Sequence, residues 1–237
     1  MKAYKTNLIL IFLLLGISPW AFSASAEMSS KHLRLVKDLM NNNLAYSQDA
    51  TTTNIIEWEE EIVDSLRQKK DYRNMFLMKQ MAVYAYSLQA KISEALKKAD
   101  AMMDEARLMK YNIGISLSYQ ALGDIYLNAG MRPEAVEEYE KAMKTLQATP
   151  HAEKIQERIF IQLVPTLIKL KRMDEAKAYL EHMSEICESK CLSPFLLYAY
   201  HAYYYLRNND LSKAREYIDE AIKINSRTPS HFYDNIF

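Results

Sequence analysis

Apolar residues recur at three- and four-residue steps along most of the chain, which predicts a series of amphipathic α-helices. These helices group into pairs, each joined by a short polar turn. The predicted first helices cover residues 74–89, 115–128, 157–170 and 194–207. The predicted second helices cover residues 93–109, 133–146, 174–187 and 211–224. Upstream, residues 31–40 and 54–69 predict a degenerate further pair, with a polar loop over residues 41–53.

One small residue occupies the same place early in each second helix. These residues are Ala95, Ala135, Ala176 and Ala214, at intervals of 40, 41 and 38 residues. We expect the two helices of each pair to cross closely there. A bulkier side chain would overpack the crossing, at a free-energy cost of roughly 1–3 kcal/mol. We assign the length beyond about 34 residues, the period of a common helix-pair repeat, to a longer second helix and a longer connection after it.

The second pair shows this spacing most clearly, with large, small and aromatic positions at Tyr119, Leu122, Gly123, Tyr126, Ala135, Tyr139 and Ala142. This pattern resembles the tetratricopeptide repeat (TPR). The resemblance covers about residues 74–229 and is closest over residues 116–149. It implies an all-α fold, a right-handed α-solenoid of antiparallel helix pairs that forms a TPR-like superhelix. Such a solenoid offers an extended surface.

The third and fourth pairs depart from the family pattern at three places. Val164 stands where a small residue is expected, and His201 replaces the usual leucine. Pro165 falls inside a first helix, where proline removes a hydrogen bond and is expected to bend the helix.

The predicted division of the chain is a signal peptide over 1–26, a degenerate helix pair over 27–73, four repeats over 74–112, 113–154, 155–192 and 193–229, and the start of a further helix or cap over 230–237.

The first 26 residues have the order of a secretory signal peptide. Lys2 and Lys5 precede an apolar run over residues 8–17, and the small residues at 24–26 suit cleavage. The chain is thus expected to be exported through the inner membrane and to be periplasmic or secreted. An uncleaved N-terminal anchor is the alternative interpretation.

Composition and charge exclude several classes of function. Without the signal, 28 basic residues face 30 acidic ones, so bulk attraction to nucleic acid is not expected. No second apolar run reaches the roughly 20 residues of a membrane span, so none is expected in the mature chain. With only four glycines, no phosphate-binding loop can be written, and no catalytic or metal-binding motif is present. We therefore expect a non-enzymatic protein without a cofactor or metal.

Cys187 and Cys191 are the only cysteines. In an oxidising compartment they could pair across a small loop, whereas a helical four-residue spacing would give poor disulfide geometry. The sequence leaves both possibilities open. A redox-active pair or a metal site is not favoured by this spacing.

The resemblance implies that the inner face of the first helices lines a concave groove for a protein or peptide partner. This inner face maps onto Leu77, Gln80, Tyr84, Gln120, Asp124, Asn128, Ile161, Lys169, Ala199, Tyr203 and Arg207. Tyr84 and Tyr203 are candidate interface anchors, because tyrosine offers a large contact area with a polar tip. Packing between repeats is the alternative role for both.

Three further interpretations accompany this partner-binding hypothesis. A small-molecule receptor or enzyme would need a pocket, for which the area of His201, Tyr204 and Arg207 is the candidate. The chain could also be a truncated structural fragment of a longer regulator. More loosely, it resembles the exported repeat region of membrane regulators from Bacteroidota-type bacteria, which implies a sensory role ahead of a membrane span and an output domain.

Overall fold

The computed structural model describes residues 48–190 and 194–227, which form nine α-helices without a strand among them. Their bounds are α1 Gln48–Gln68, α2 Tyr72–Leu88, α3 Ile92–Leu108, α4 Asn112–Asn128, α5 Arg132–Leu146, α6 Glu153–Lys169, α7 Met173–Lys190, α8 Pro194–Arg207 and α9 Leu211–Arg227. Within these residues, no helix combines the length and the hydropathy that a membrane span requires. The signal peptide, the predicted helix over 31–40 and the segment 230–237 lie outside the described residues.

The eight helices of the four predicted pairs all occur, with ends within four residues of the predicted ones. Helix α1 differs more, since it begins at Gln48 and includes residues 48–53, which the sequence pattern assigns to a loop. Consecutive helices pack on each other, and α2, α4, α6 and α8 also pack side by side in that order. The fold is therefore an all-α solenoid of helix pairs, as predicted.

Six of the connections are three-residue turns with the middle residue in the left-handed region. The φ angles are 57° at Lys70, 58° at Ala90, 52° at Lys110, 80° at Gly130, 61° at Lys171 and 62° at Asn209. In the turn after α3, the amide of Lys110 donates to the Arg107 carbonyl oxygen at 3.0 Å, and that of Tyr111 donates to Ala106 at 2.9 Å. This is the Schellman pattern, which satisfies the last carbonyls of a helix.

These turns explain the long repeat. Helices α2, α3 and α4 each have 17 residues, so one helix and one turn make a 20-residue unit and two units make the 40-residue period. The expectation that the excess lies in the second helix and its connection is wrong for the first pair. Both helices of that pair are long, and only residues 109–111 follow α3. A longer connection, residues 147–152, does follow α5.

The small residues that the sequence predicts at the helix crossings are buried. Ala95, Ala135 and Ala176 have no exposed surface and Ala214 is 3% exposed, as expected for close crossings. Gly123 of α4 faces the ring of Tyr139 from α5, and a Cβ atom added to Gly123 would lie 2.5 Å from Cε1 of that ring. A glycine is thus required there by the close approach of an aromatic side chain.

Pro165 lies inside α6, and the helix continues through it. Since proline has no amide hydrogen, the carbonyl oxygen of Ile161 loses its helical donor. The hydroxyl of Tyr200 in α8 donates to that oxygen at 3.1 Å, and the Tyr200 ring meets Phe160 edge-on at 5.6 Å. Burial raises the pKa of Tyr200, which keeps the hydroxyl protonated as a donor. A side chain of the fourth pair therefore replaces the hydrogen bond that Pro165 removes in the third pair.

Replacing Tyr200 by phenylalanine is expected to lower the free energy of unfolding by about 1–3 kcal/mol, because the partly buried Ile161 carbonyl would lose its donor. The loss should be smaller when Pro165 is also replaced by alanine, since the new residue would supply a helical amide donor. Urea unfolding of the two single variants and the double variant measures the coupling. Equal losses in both backgrounds would contradict the role of Tyr200.

Candidate partner-binding face

The eleven residues of the predicted inner face divide by burial. Leu77, Gln80, Gln120 and Asp124, from the first two pairs, are buried. Tyr84, Ile161, Ala199 and Tyr203 are partly buried, whereas Asn128, Lys169 and Arg207 are exposed. In this conformation, the part of the face on α2 and α4 is mostly interior, and the part on α6 and α8 is more accessible.

The buried part holds a hydrogen-bonded cluster, which we call the central network: Gln80, Asp124, Tyr139 and Arg158. The Gln80 side-chain amide donates to one Asp124 carboxylate oxygen, and the Tyr139 hydroxyl donates to the other, both at 2.7 Å. Arg158 donates from Nη2 to Oε1 of Gln80 at 2.9 Å. The network therefore joins helices α2, α4, α5 and α6, which belong to three successive pairs.

The network contains two opposite charges. Burial raises the pKa of Asp124 to about 6, although hydrogen bonds from Tyr139 and Gln80 and the charge of Arg158 act in the opposite direction. Burial lowers the pKa of Arg158 to about 9, and the Asp124 carboxylate opposes that change. Both groups are thus predominantly ionised near neutral pH, and their charges compensate each other inside the protein.

The network is not fully paired. Within the described part of the chain, Nε and Nη1 of Arg158 and Oε1 of Gln120 are buried without a hydrogen-bond partner. Each unpaired buried group costs about 1–3 kcal/mol. The inner face therefore retains two unpaired buried donors and one unpaired buried acceptor.

Two members of the network, Tyr139 and Arg158, are absent from the predicted face. Tyr139 is recognised from the sequence only as a core aromatic of its repeat. Arg158 lies three residues before Ile161 on α6, so it shares a helix face with a residue that was predicted. That spacing is the signal by which the sequence could have indicated it.

The accessible part of the face is aromatic and basic. Tyr203 and Arg207 lie one turn apart on α8, and Lys169 ends α6. Asn128 is exposed, but its side-chain amide donates to Oγ of Ser87 in the preceding pair at 2.8 Å. Asn128 therefore links two pairs, which leaves Lys169 and Arg207 as exposed polar side chains of the face and Tyr203 as a partly buried one.

A cavity of about 570 Å³ lies beside His201, between α7, α8 and α9. Its lining residues are Ser184, Cys187, Pro194, Leu197, Tyr198, His201, Glu216, Tyr217 and Glu220. The predicted pocket therefore needs correction, because Tyr204 and Arg207 do not line this cavity. Tyr204 is buried against Tyr205, with ring centroids 5.2 Å apart, and Arg207 is exposed at the end of α8.

Ser184 and His201 approach each other in this cavity, with Oγ and Nε2 3.1 Å apart. The Ser184 hydroxyl donates to the Leu180 carbonyl oxygen at 2.9 Å, so its oxygen is left to accept from Nε2–H of His201. In this arrangement His201 does not take the serine proton, which a nucleophilic serine requires. Elsewhere among residues with described side chains, no cluster of metal-ligating groups occurs.

Cys187, at the rim of the cavity, is disulfide-bonded. Cys191, the only other cysteine of the sequence, lies outside the described residues.

These features define an α-helical repeat protein of the solenoid class. The profile of the tetratricopeptide repeat family matches residues 117–145 and 197–228, which fall in the second and fourth pairs. The two matches support assignment to the tetratricopeptide repeat family, whose members are generally non-enzymatic scaffolds that bind other proteins. No curated protein is significantly similar to the chain.

Proposed function

We propose that this chain is an exported scaffold that binds a protein partner, as an extended peptide or a folded domain, along the inner face of its first helices. The observation that supports the proposal is the side-by-side packing of α2, α4, α6 and α8, an arrangement in which the first helices of successive pairs would share one face. Tyr203 and Arg207 provide the accessible anchors, since tyrosine and arginine are enriched at binding hot spots.

The central network supports the same function. A partner that reaches the unpaired Arg158 donors and the Gln120 acceptor would gain hydrogen bonds in a region of low dielectric. Peptide groups carry one donor and one acceptor each, which is the combination that these atoms would satisfy. Binding there requires the side chains over the network to move apart, so we assign the first encounter to the accessible end of the face.

Replacing Tyr203 or Arg207 by alanine is expected to weaken partner binding about 30-fold or more, the loss expected for an interface anchor worth about 2 kcal/mol. A partner isolated by crosslinking from the envelope fraction of the source cells would be purified and titrated against each variant. Arg215→Ala is the matched control, because Arg215 is also exposed but lies on the second helix of the same pair. Full affinity in both face variants would contradict the proposed face.

Export and a sensory role form the second half of the proposal. They are motivated by the basic start, the apolar run and the small residues that precede Glu27. When the full chain is expressed in a bacterial host, mass spectrometry should find a mature protein that begins at Glu27 in the periplasm or the medium. A chain that keeps Met1 and remains in the cytoplasm would contradict export without affecting the binding proposal.

The cavity beside His201 favours a second candidate function, a receptor for a small molecule. Its volume of about 570 Å³ lies within the range of ligand pockets, roughly 300–1,000 Å³.

A further inference from the structure

The fourth pair contains a column of stacked side chains. The ring of His201 stacks on Tyr217, with centroids 4.6 Å apart and planes 10° apart. Tyr217 stacks in turn on Tyr205, with centroids 5.4 Å apart and planes 16° apart. At the end of the column, Nζ of Lys213 lies 5.1 Å from the Tyr205 centroid. The column thus already carries one ammonium group on a ring face.

The cavity lies at the other end of the column. His201 and Tyr217 form part of its wall, and Tyr198, whose centroid is 6.0 Å from that of Tyr217, adds a third ring. Leu197 and Pro194 supply apolar surface beside these rings. The wall therefore combines aromatic faces with an apolar side, an environment that suits an alkyl chain with a cationic head.

Among the described lining residues, the charged side chains are all acidic. Glu216 and Glu220 lie four residues apart on α9 and both line it, whereas no lysine or arginine is among the lining residues described above. Glu220 is paired with Lys223 at 3.0 Å, but within the described part of the chain the Glu216 carboxylate makes no hydrogen bond or ion pair. Burial lowers the pKa of His201, against the charge of Glu181, so the imidazole is predominantly neutral at pH 7 and does not cancel the acidic groups.

We propose that this cavity binds an alkylammonium group. The ring face of Tyr198 would contact the cation, Glu216 would pair with it, and Leu197 would cover the alkyl chain. The group can come from a free small amine or from a lysine side chain of a protein partner. The proposal does not depend on the inner face, because Tyr203 and Arg207 do not line the cavity.

The test uses the purified full chain and calorimetric titration at pH 7 with n-pentylamine, 1-pentanol and pentanoate. These ligands have similar size and differ in charge. Saturable binding of the amine is expected with a dissociation constant at or below about 1 mM. The neutral alcohol should bind at least tenfold more weakly, and pentanoate should not bind. Equal binding of amine and alcohol, or no saturable binding of the amine, would overturn the proposal.

Variants on α9 separate a specific site from general attraction between charges. Glu216→Gln should weaken amine binding fivefold or more, and it should fold normally because Glu216 is exposed. Asp219→Asn removes the same charge from an exposed position on the same helix that does not line the cavity, and it should bind as the unmodified chain does. Equal losses in both variants, or an unchanged affinity in Glu216→Gln, would overturn the assignment.

A last pair of titrations identifies the source of the group. Nα-acetyl-lysine methylamide presents a lysine side chain with flanking peptide groups. Binding tighter than that of pentylamine would indicate a lysine of a protein partner, whereas binding at least tenfold weaker would indicate a free amine. Either result supports the site. Tyr203→Ala should leave amine binding unchanged, so failure of the partner-binding face and failure of this site can be told apart.

Discussion

Replacing Gly123 by alanine should lower the free energy of unfolding by about 3 kcal/mol or more, at the upper end of the 1–3 kcal/mol that overpacking in a core typically costs. The new Cβ atom would lie 2.5 Å from Cε1 and 2.7 Å from Cδ1 of Tyr139, whose side chain is fully buried. The Tyr139 hydroxyl also donates a hydrogen bond to Asp124, so any shift of the ring would weaken the central network as well. Urea or thermal unfolding followed by circular dichroism measures the loss.

The chain offers a matched glycine as the control. A Cβ atom added to Gly130 would meet no atom within 4 Å, although its φ of 80° is unfavourable for alanine. We expect Gly130→Ala to cost about 1–2 kcal/mol through backbone strain alone. If Gly123→Ala is no more costly than Gly130→Ala, the close approach of α4 and α5 at Tyr139 is not a constraint on the fold.

The second large effect is a pH dependence from Asp124. Its pKa is about 6 in the folded protein and near the ordinary 3.8 when unfolded, so between these values the folded state binds more protons. Stability from this group is therefore greatest below about pH 4 and is lost as the pH rises to about 6. The difference of roughly two units corresponds to about 3 kcal/mol.

The effect is isolated by subtraction. Ion pairs lower the pKa of Glu105 and Glu175, whose contributions are lost as the pH falls, so the raw profile contains opposing trends. Unfolding of the unmodified chain and of Asp124→Asn should therefore be compared between about pH 4 and 7, where the stability of the unmodified chain relative to the variant should fall by about 3 kcal/mol.

A second variant tests the cause. Tyr139→Phe removes a hydrogen bond that lowers the pKa of Asp124, so its pH-dependent transition should move to higher pH. A relative stability that stays flat, or that rises with pH, would show that Asp124 is not the titrating group.

Local patterns were sufficient for the helices, because three- and four-residue steps of apolar residues are a property of each segment by itself. The small position at Gly123 and the large one at Tyr139 were likewise readable, since repeats place them at fixed spacing. The turn residues with left-handed backbone conformation were harder to predict from the sequence. Lys110 and Ala90 occupy a conformation that usually indicates glycine, and the turn is imposed by the packing of the helices on either side.

Interactions between distant residues account for what the sequence could not supply. The sequence predicts that Pro165 removes a helical hydrogen bond, but the donor that replaces the missing amide is Tyr200, in another repeat. The spacing to Ile161 could place Arg158 on the predicted face, but it does not indicate that Arg158 would bury its charge beside Gln80 and Asp124. Which side chains meet in this way depends on how the helix pairs pack on each other.

The hydrogen bond from Arg158 to Gln80 connects the first pair to the third and bypasses the second. In a simple helical array, energy is a sum over adjacent units, and the ends can fray one unit at a time. Because this link joins units that are not adjacent, we expect the first three pairs to unfold together as one cooperative block. We expect the fourth pair, which is linked only to its neighbour through Tyr200 among the hydrogen bonds described above, to open separately, so hydrogen exchange should reveal two foldons of unequal size.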